Sequence, residues 1–431
     1  MRLPADHPER YVLAEEVHAR PPEPLEAPAR LTHLAVLVEP EQRAREAAHL
    51  AALCDRHGVT PPSAGATQFS AGFGPVRLKW ERHGEFSAYT VIAAGPAGPP
   101  FAEPAAALLP DGWLAEVPGI TVMCAHALLL AAGEQAPKES DLVPFFGNVT
   151  VVGAQVADGA AYAFTDFRLR DDGATRFVIL DRSLTTRQAG RTAQRLFEIE
   201  AYRMLAMLAL PIARRHSPRV VAIEKSLALL TDGISRELGM ADETLLTELT
   251  RLAAEVESGL AASQFRFGAC RAYAELVRTR IADLREQRLP GIQTIGEFMA
   301  RRFEPAVATC ATVSQRLHDL SERVSQASSL LSTRVDIARE RQNQALLASM
   351  DRRAKLQLRL QQTVEGLSVA AIVYYAAGLV GYVAKGAKSA GMKIDPELLT
   401  GVAVPVLLVA AMWTLRRVRR RIAREGAAHE P

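Results

Sequence analysis

The chain has 431 residues, and its 51 lysines and arginines against 48 aspartates and glutamates give a formal net charge of +3. The final segment, residues 416–431, holds six arginines and two glutamates and contributes +4, which leaves −1 for the rest and argues against a nucleic-acid surface. Four widely spaced cysteines argue against a disulfide framework and indicate reduced, buried thiols of a cytosolic domain.

Residues 1–30 contain six prolines and lack the apolar core of a secretory signal. Because proline fixes its own φ and disfavours helix in the preceding residue, this segment is predicted to be largely extended. Glu16, His18 and Arg20 alternate there and would share one face of an extended chain, as in a small polar or metal site. A surface ion pair explains them equally well, since one carboxylate and one imidazole are few ligands for a metal, and no metal is assigned.

Residues 31–184 are predicted to form a cytoplasmic sheet domain of α/β or α+β class, because apolar runs typical of strands surround one helical pattern. The run at 120–130 is predicted to be a strand that leads into a short helix. The charged residues around the hairpin turn are interpreted as solvated: Glu81, Arg82, His83 and Glu85. The predicted strands are 31–38, 76–80, 86–92, 120–130, 149–156, 161–168 and 175–180, and the predicted helix is 41–57.

Strand patterns end near residue 185, and long antiparallel helices are predicted to follow as a helical arm at 185–289 and a stalk helix at 292–365. In the arm, Glu200 and Arg203 can pair at i, i+3 on a face interpreted as solvated. The stalk carries apolar residues with the spacing of a coiled-coil seam, and its partner is either the helix at 242–288 or copies of the same chain. The seam residues are Val313, Leu317, Leu320, Val324, Ala327 and Leu331.

Two uncharged apolar runs, 366–384 and 398–415, have 19 and 18 residues and are joined by a short loop at 385–397. At about 1.5 Å per residue, each run spans most of a hydrocarbon core of about 30 Å, so a transmembrane hairpin is predicted. Buried helices of a large globular core are the alternative. The basic tail at 416–431 places both ends in the cytoplasm by the positive-inside bias, and the expected location is a bacterial inner membrane.

The first apolar run contains small residues at spacings that permit close helix contact. They predict helix packing and a homo-oligomer assembled through the stalk and this run, with a pore face as the alternative. Neither run contains a charged residue or a histidine, which a proton relay would require. The residues of this face are Ala370, Tyr374, Ala377, Gly378 and Gly381.

This order of elements resembles that of CorA-type magnesium channels, and residues 333–347 are similar to the stretch before the first span of that family. The resemblance implies a cation channel with a Gly-Met-Asn signature at the outer end of that span. Here residues 378–383 read Gly-Leu-Val-Gly-Tyr-Val without a Met-Asn pair, which speaks against the same ion selectivity.

The whole chain more closely resembles a bacterial family of uncharacterised membrane-anchored proteins, a domain of unknown function. Residues 16–21, 196–203 and 342–367, continuing into 378–381, carry this resemblance. It implies the topology described above and no particular chemistry.

The sequence contains no dinucleotide-binding, Walker, nucleophile-elbow or zinc-protease motif, so no catalytic residue or cofactor is assigned. The primary prediction is a non-enzymatic, membrane-anchored oligomeric scaffold or sensor whose partners are the lipid bilayer and copies of itself, with no ligand assigned. One alternative is a CorA-like cation channel with an altered selectivity motif. Another is a membrane-tethered enzyme, which predicts a polar pocket formed by residues remote in sequence.

Overall fold

The computed structural model describes residues 4–16, 21–95, 98–236, 242–390 and 395–426. The chain divides into two compact units, residues 1–329 and 330–431. The first contains a mixed α/β domain and long helices, and the second contains apolar helix, so the coarse prediction of fold class is confirmed.

The described residues of the first unit form one eight-stranded sheet in the order β2-β3-β4-β1-β5-β8-β7-β6. Neighbouring strands are antiparallel except β5 and β8, which are parallel. The strands are β1 Ala29–Leu37, β2 Gln68–Phe73, β3 Val76–Arg82, β4 Phe86–Ala94, β5 Ile120–Ala131, β6 Val152–Val156, β7 Ala161–Thr165 and β8 Thr175–Asp181.

Helices precede, interrupt and follow the sheet in the described part of the chain. They are α1 Arg10–Glu16, α2 Arg43–His57, α3 Glu139–Phe146, α4 Thr186–Met207, α5 Ala209–Arg236, α6 Asp242–Leu284, α7 Ile295–Arg302, α8 Glu304–Ser389 and α9 Pro396–Gly426. A capping box at Thr185 fixes the start of α4, where its hydroxyl accepts from Gln188 N and the Gln188 side chain accepts from Thr185 N.

The two faces of the sheet are covered by different helices, because successive side chains of a strand point to opposite sides. On one face, α2 packs Leu50 and Leu53 onto apolar residues of β1, β3 and β4. Glu46 of α2 is buried there and accepts hydrogen bonds from Trp80 Nε1 at 3.0 Å and Tyr89 OH at 2.8 Å. The other face is covered by α4.

One local prediction was confirmed, and two features differ from the prediction. The run at 120–130 is the strand β5, which continues to Ala131 between β1 and β8, and the short helix α3 follows it at Glu139–Phe146. The edge strand β2 was not predicted, since its sequence Gln-Phe-Ser-Ala-Gly-Phe is weakly apolar. The opening segment contains the short helix α1, whose seven residues include no proline.

The edge strand β6 is paired by residues that follow α6. Gly153 N donates to Gln293 O at 2.8 Å, and Gln155 exchanges two backbone hydrogen bonds with Gln287. These bridges cover backbone groups that an edge strand would otherwise expose.

The seam of α8 packs within the chain. Its residues from Val313 to Ala327 are buried, and Leu317 Cδ2 lies 3.6 Å from the Cβ position of Gly259 in α6. Arg316 of α8 makes a bidentate pair with Glu224 of α5, at 2.9 and 2.6 Å. The sequence predicted either the neighbouring helix or a second copy of the chain as the partner of this seam. In the structure the partner is the neighbouring helix, α6. Further along the same contact, the thiols of Cys270 and Cys310 lie within hydrogen-bonding contact.

In the second unit, the last part of α8 packs against α9 along a narrow stripe. Val373, Ala377 and Ala384 are buried, and a Cβ atom at Gly381 would lie 3.3 Å from Thr400 Oγ1. Most other apolar side chains of this unit are exposed.

Candidate functional site

A partly open cavity of about 50 Å³ lies in the first unit, between α4 and the sheet face formed by β1, β3 and β4. We call it the α4 cavity. It combines apolar walls with polar groups that sequence separates by more than 100 residues. The lining residues used below are His33, Lys79, Glu81, Phe86, Gln194 and Phe197.

Lys79 and Glu81 form a buried ion pair on the floor of the α4 cavity. They alternate along β3, so both side chains point to the face covered by α4. Lys79 Nζ lies 2.9 Å from Glu81 Oε1 and also donates to the carbonyl of Pro21 at 2.8 Å. The side chains are only 6 % and 8 % exposed, so each charge depends on these partners for its stability.

His33 lies beside this pair as a neutral imidazole. Burial, together with the nearby charges of Lys79 and His83, lowers the pKa of His33 to about 3. Its Nδ1 is 2.8 Å from Thr90 Oγ1, and its ring stacks on Phe197 with centroids 4.8 Å apart. A histidine with this pKa is a weak general base at neutral pH, so the contact with Thr90 orients the ring and does not form an activated nucleophile.

Gln194 of α4 contributes a polar group from the opposite wall. Its Nε2 donates to Glu198 Oε1 at 2.8 Å, and the other oxygen of Glu198 bonds Arg280 of α6. The Oε1 atom of Gln194 is buried without a hydrogen-bond partner. A buried acceptor without a partner is unusual in a folded protein and requires an explanation.

The described segment that begins at Pro21 closes one side of the α4 cavity. Leu25 N donates to Thr186 O at 3.0 Å, which fixes the segment to the start of α4. Gly190 permits this close approach, because a Cβ atom there would lie 1.8 Å from Glu23 O. Glycine at this position is thus required by backbone contact.

The polar site predicted near the start of the chain remains a prediction. Glu16 is the last residue of α1, whereas His18 and Arg20 lie outside the described residues. Among the residues that the structure describes, no group of three or more His, Cys, Asp or Glu side chains is arranged to hold a metal ion.

The predicted small-residue face of the first apolar run is divided between two environments. Ala377 is buried and Gly381 half-buried, next to α9, whereas Ala370, Tyr374 and Gly378 are exposed. The first two therefore contribute to packing within the chain. For Ala370, Tyr374 and Gly378, a contact between copies and a pore face both stay predictions.

Several charged residues that were predicted to be solvated are instead buried or paired with an opposite charge in the structure. Glu81 is buried with Lys79, and Glu85 accepts two hydrogen bonds from Arg266 of α6. Glu200 is fully buried and pairs with Arg203 at 2.7 Å, so the predicted pairing was right and the solvated face was wrong.

Sequence reasoning missed three residues of the α4 cavity: His33, Lys79 and Gln194. His33 and Lys79 are polar residues within predicted strands, at positions that point to one face of the sheet. That pattern could have indicated a polar site on this face. Gln194 gave no such signal, because a glutamine is common on any helix surface.

A family model described as protein of unknown function (DUF3422) matches residues 5–422. The chain belongs to the DUF3422 family. No curated protein matches it. The DUF3422 assignment confirms the predicted resemblance to a domain of unknown function, while membrane anchoring and the likeness to CorA channels stay predictions.

Proposed function

We propose that this DUF3422 protein is a non-enzymatic scaffold or sensor, anchored in a bacterial inner membrane by the last part of α8 together with α9. The mixed α/β domain then lies on the cytoplasmic side. Two helices are long and apolar enough to cross a membrane by length and composition: one within Ile295–Ser389 and one at Pro396–Arg417.

The exposure of these two apolar segments carries the proposal. Only 17 % of the most apolar stretch of the first is buried, and none of that of the second. Side chains such as Leu367 and Tyr382 are each 76 % exposed. A core helix of a soluble protein would be mostly buried, and contiguous exposed apolar surface of this extent is typical of contact with lipid or with another protein.

The residues at the end of α9 support a membrane boundary there. The guanidinium of Arg417 lies 5.1 Å from the ring centre of Trp413. Tryptophan and arginine are enriched where a helix leaves the hydrocarbon core on the cytoplasmic side. Arginines that follow also favour contact with anionic headgroups.

Assembly into a homo-oligomer is part of the same proposal, but the seam from Val313 to Ala327 already packs within its own chain. The surface that fits a second copy is therefore the exposed stripe of Leu360, Val364 and Leu367 on α8. These residues keep the spacing of a coiled-coil seam, four and then three residues apart.

The α4 cavity favours a sensor over a simple anchor, because it provides a place for a small molecule. The same cavity brings together polar groups from residues remote in sequence, as the enzyme alternative predicts, but the low pKa of His33 speaks against a general base there. The channel alternative stays a prediction from resemblance.

Membrane fractionation tests the anchor. A chain truncated after Gln361 lacks both apolar runs, and we expect it in the soluble fraction, whereas a chain truncated after Gly426 keeps them and should resist carbonate extraction from membranes. Recovery of the shorter chain in the carbonate-washed membrane, at the level of the longer one, contradicts the anchor.

A further inference from the structure

We propose that an acidic phospholipid of the cytoplasmic leaflet binds in a groove between the last part of α8 and α9, with an acyl chain along the groove and its headgroup at Arg359 and Arg416. The proposal rests on the membrane anchor described above and adds a lipid site to it. The groove has a volume of about 530 Å³ and lies within the second unit. We call it the α8–α9 groove.

The walls of the α8–α9 groove are two antiparallel stretches of equal length. One runs from Gly366 to Ala377 in α8, and the other from Val404 to Leu415 in α9. Each stretch has 12 residues, and at about 1.5 Å per residue this is about 17 Å, or about half of a hydrocarbon core of about 30 Å. The groove therefore covers one leaflet, and the arginines that follow Leu415 place it on the cytoplasmic side.

Close helix contact ends the groove on the side of the connecting loop. A Cβ atom at Gly381 would lie 3.3 Å from Thr400 Oγ1, and Ala384 is buried. An acyl chain that enters from the cytoplasmic side therefore ends near the middle of the bilayer, as the acyl chains of one leaflet do.

The lining of the groove suits a hydrocarbon chain. Among the described residues around it, only Tyr374 has a side chain with an N–H or O–H group. A polar ligand would give up its hydrogen bonds with water there and recover at most those that one hydroxyl makes. Groove walls without neighbours lose dispersion contacts, and a flexible acyl chain restores these contacts.

Arg416 stands at the open end of the groove. It follows Leu415 directly, and its side chain is exposed without an ion pair to any described residue. Because helical side chains lean toward the N-terminus of their helix, Arg416 should lie over the turn of α9 that contains Met412. A phosphate at this end of the groove therefore meets a guanidinium, which can bind it by two parallel hydrogen bonds.

Arg359 supplies a second positive charge from α8. It lies seven residues before Gly366, or about two helical turns, and so on the same face as the groove. Its side chain is also exposed, and it forms no ion pair within the described part of the chain. Glu365, the carboxylate nearest in sequence to the groove, already interacts within the chain. The open end of the groove thus carries unpaired positive charge, which attracts acidic headgroups.

A second copy of the chain is the competing occupant of the groove. The stripe of Leu360, Val364 and Leu367, proposed above for assembly, lies about one third of a turn around α8 from the groove. Assembly through that stripe and lipid binding therefore use different faces of the helix.

Lipid titrations followed by native mass spectrometry test the proposal on the full-length protein in detergent. Dioleoyl phosphatidylglycerol and dioleoyl phosphatidylcholine have the same acyl chains, and each is titrated in a separate sample. Phosphatidylglycerol should form a one-to-one complex with a dissociation constant about fivefold lower, because its net negative charge meets unpaired arginines. Equal dissociation constants, or no binding of either lipid, overturn the proposal.

Arginine variants locate the headgroup. Arg359→Gln combined with Arg416→Gln should bring the two dissociation constants within about twofold of each other. The matched control is Arg353→Gln, which removes an exposed arginine of α8 away from the groove and should keep the preference. A preference that survives the double variant overturns the proposal.

Substitutions in α8 locate the acyl chain. Ala370→Phe fills the groove and should weaken the binding of both lipids about fivefold or more, whereas Leu367→Phe on the assembly stripe should not. If Ala370→Phe leaves lipid binding unchanged and instead breaks an oligomer, a second copy fills the groove and the proposal is overturned. The comparison of the two lipids on the unaltered protein stands without any variant.

The lipid site and the anchor fail in different assays. A full-length protein that resists carbonate extraction but binds both lipids equally refutes the lipid site alone. Recovery of the full-length protein in the soluble fraction refutes the anchor and the lipid site with it.

Discussion

Replacing His33 by glutamine should remove a large part of the acid sensitivity of the sheet domain. Burial keeps His33 neutral in the folded protein, with a pKa of about 3 against an ordinary value of 6.5. Between these two values the unfolded chain binds a proton that the folded chain does not, so stability falls as the pH falls below 6.5. The loss should be about 2 kcal/mol between pH 7 and pH 5, at about 1.4 kcal/mol per pH unit below the unfolded pKa.

Urea unfolding at pH 7 and pH 5 measures this effect. Trp80 and Trp113 are buried in the core between the sheet and α2 and report its unfolding by fluorescence, in a Trp413→Phe background that removes the third tryptophan. The free energy of unfolding of the parent should drop by about 2 kcal/mol more than that of His33→Gln. An equal drop in both proteins would refute the argument that His33 is buried and neutral.

The remaining predictions concern close contacts between helices and their neighbours. Gly190→Val should lower the free energy of unfolding by about 1–3 kcal/mol, measured by the same fluorescence assay, because the new side chain meets backbone 1.8 Å away. Oxidation with diamide should join Cys270 and Cys310 within one chain, seen as a faster band on non-reducing gels that Cys270→Ser abolishes. Gly381→Leu should lower the melting temperature of the second unit, because the new side chain meets Thr400 of α9 in the same chain.

Matched glycines provide the controls. Gly268 lies within α6 with open space around its Cβ position, so Gly268→Ala should leave stability unchanged or raise it by up to about 1 kcal/mol. Gly378 also has open space within the chain, and Gly378→Leu should preserve the packing of α8 on α9. Equal losses for Gly190→Val and Gly268→Ala would contradict the backbone contact. A Cys270–Cys310 link that forms only between chains would contradict the α6–α8 contact.

Much of the fold was accessible from sequence because local patterns and tertiary structure agree. The strands β1, β3, β4 and β8 carry short apolar runs or alternating apolar residues, which are typical of strands, and they were predicted within a few residues of their bounds. The edge strand β2 was missed, because it has weak local preference and forms by pairing with β3.

The site was less accessible because burial of charge depends on partners from remote parts of the chain. Glu81 and Glu200 look solvated when only their neighbours in sequence are considered. In the structure Glu81 is buried with Lys79, two residues away, beneath a helix more than 100 residues later. Gln194 becomes informative only once Glu198 and Arg280 fix its amide.

Because β6 pairs with residues 287–293, its edge of the sheet becomes covered late during synthesis of the chain. The β6 edge of the sheet stays unpaired until α4, α5 and α6 have been made, about 130 residues after β6. An exposed edge can pair with other nascent chains, so a ribosome that stalls before residue 293 releases an aggregation-prone product. Because residue 293 precedes the first apolar run at 366, the β6 edge can be paired before that run is synthesised.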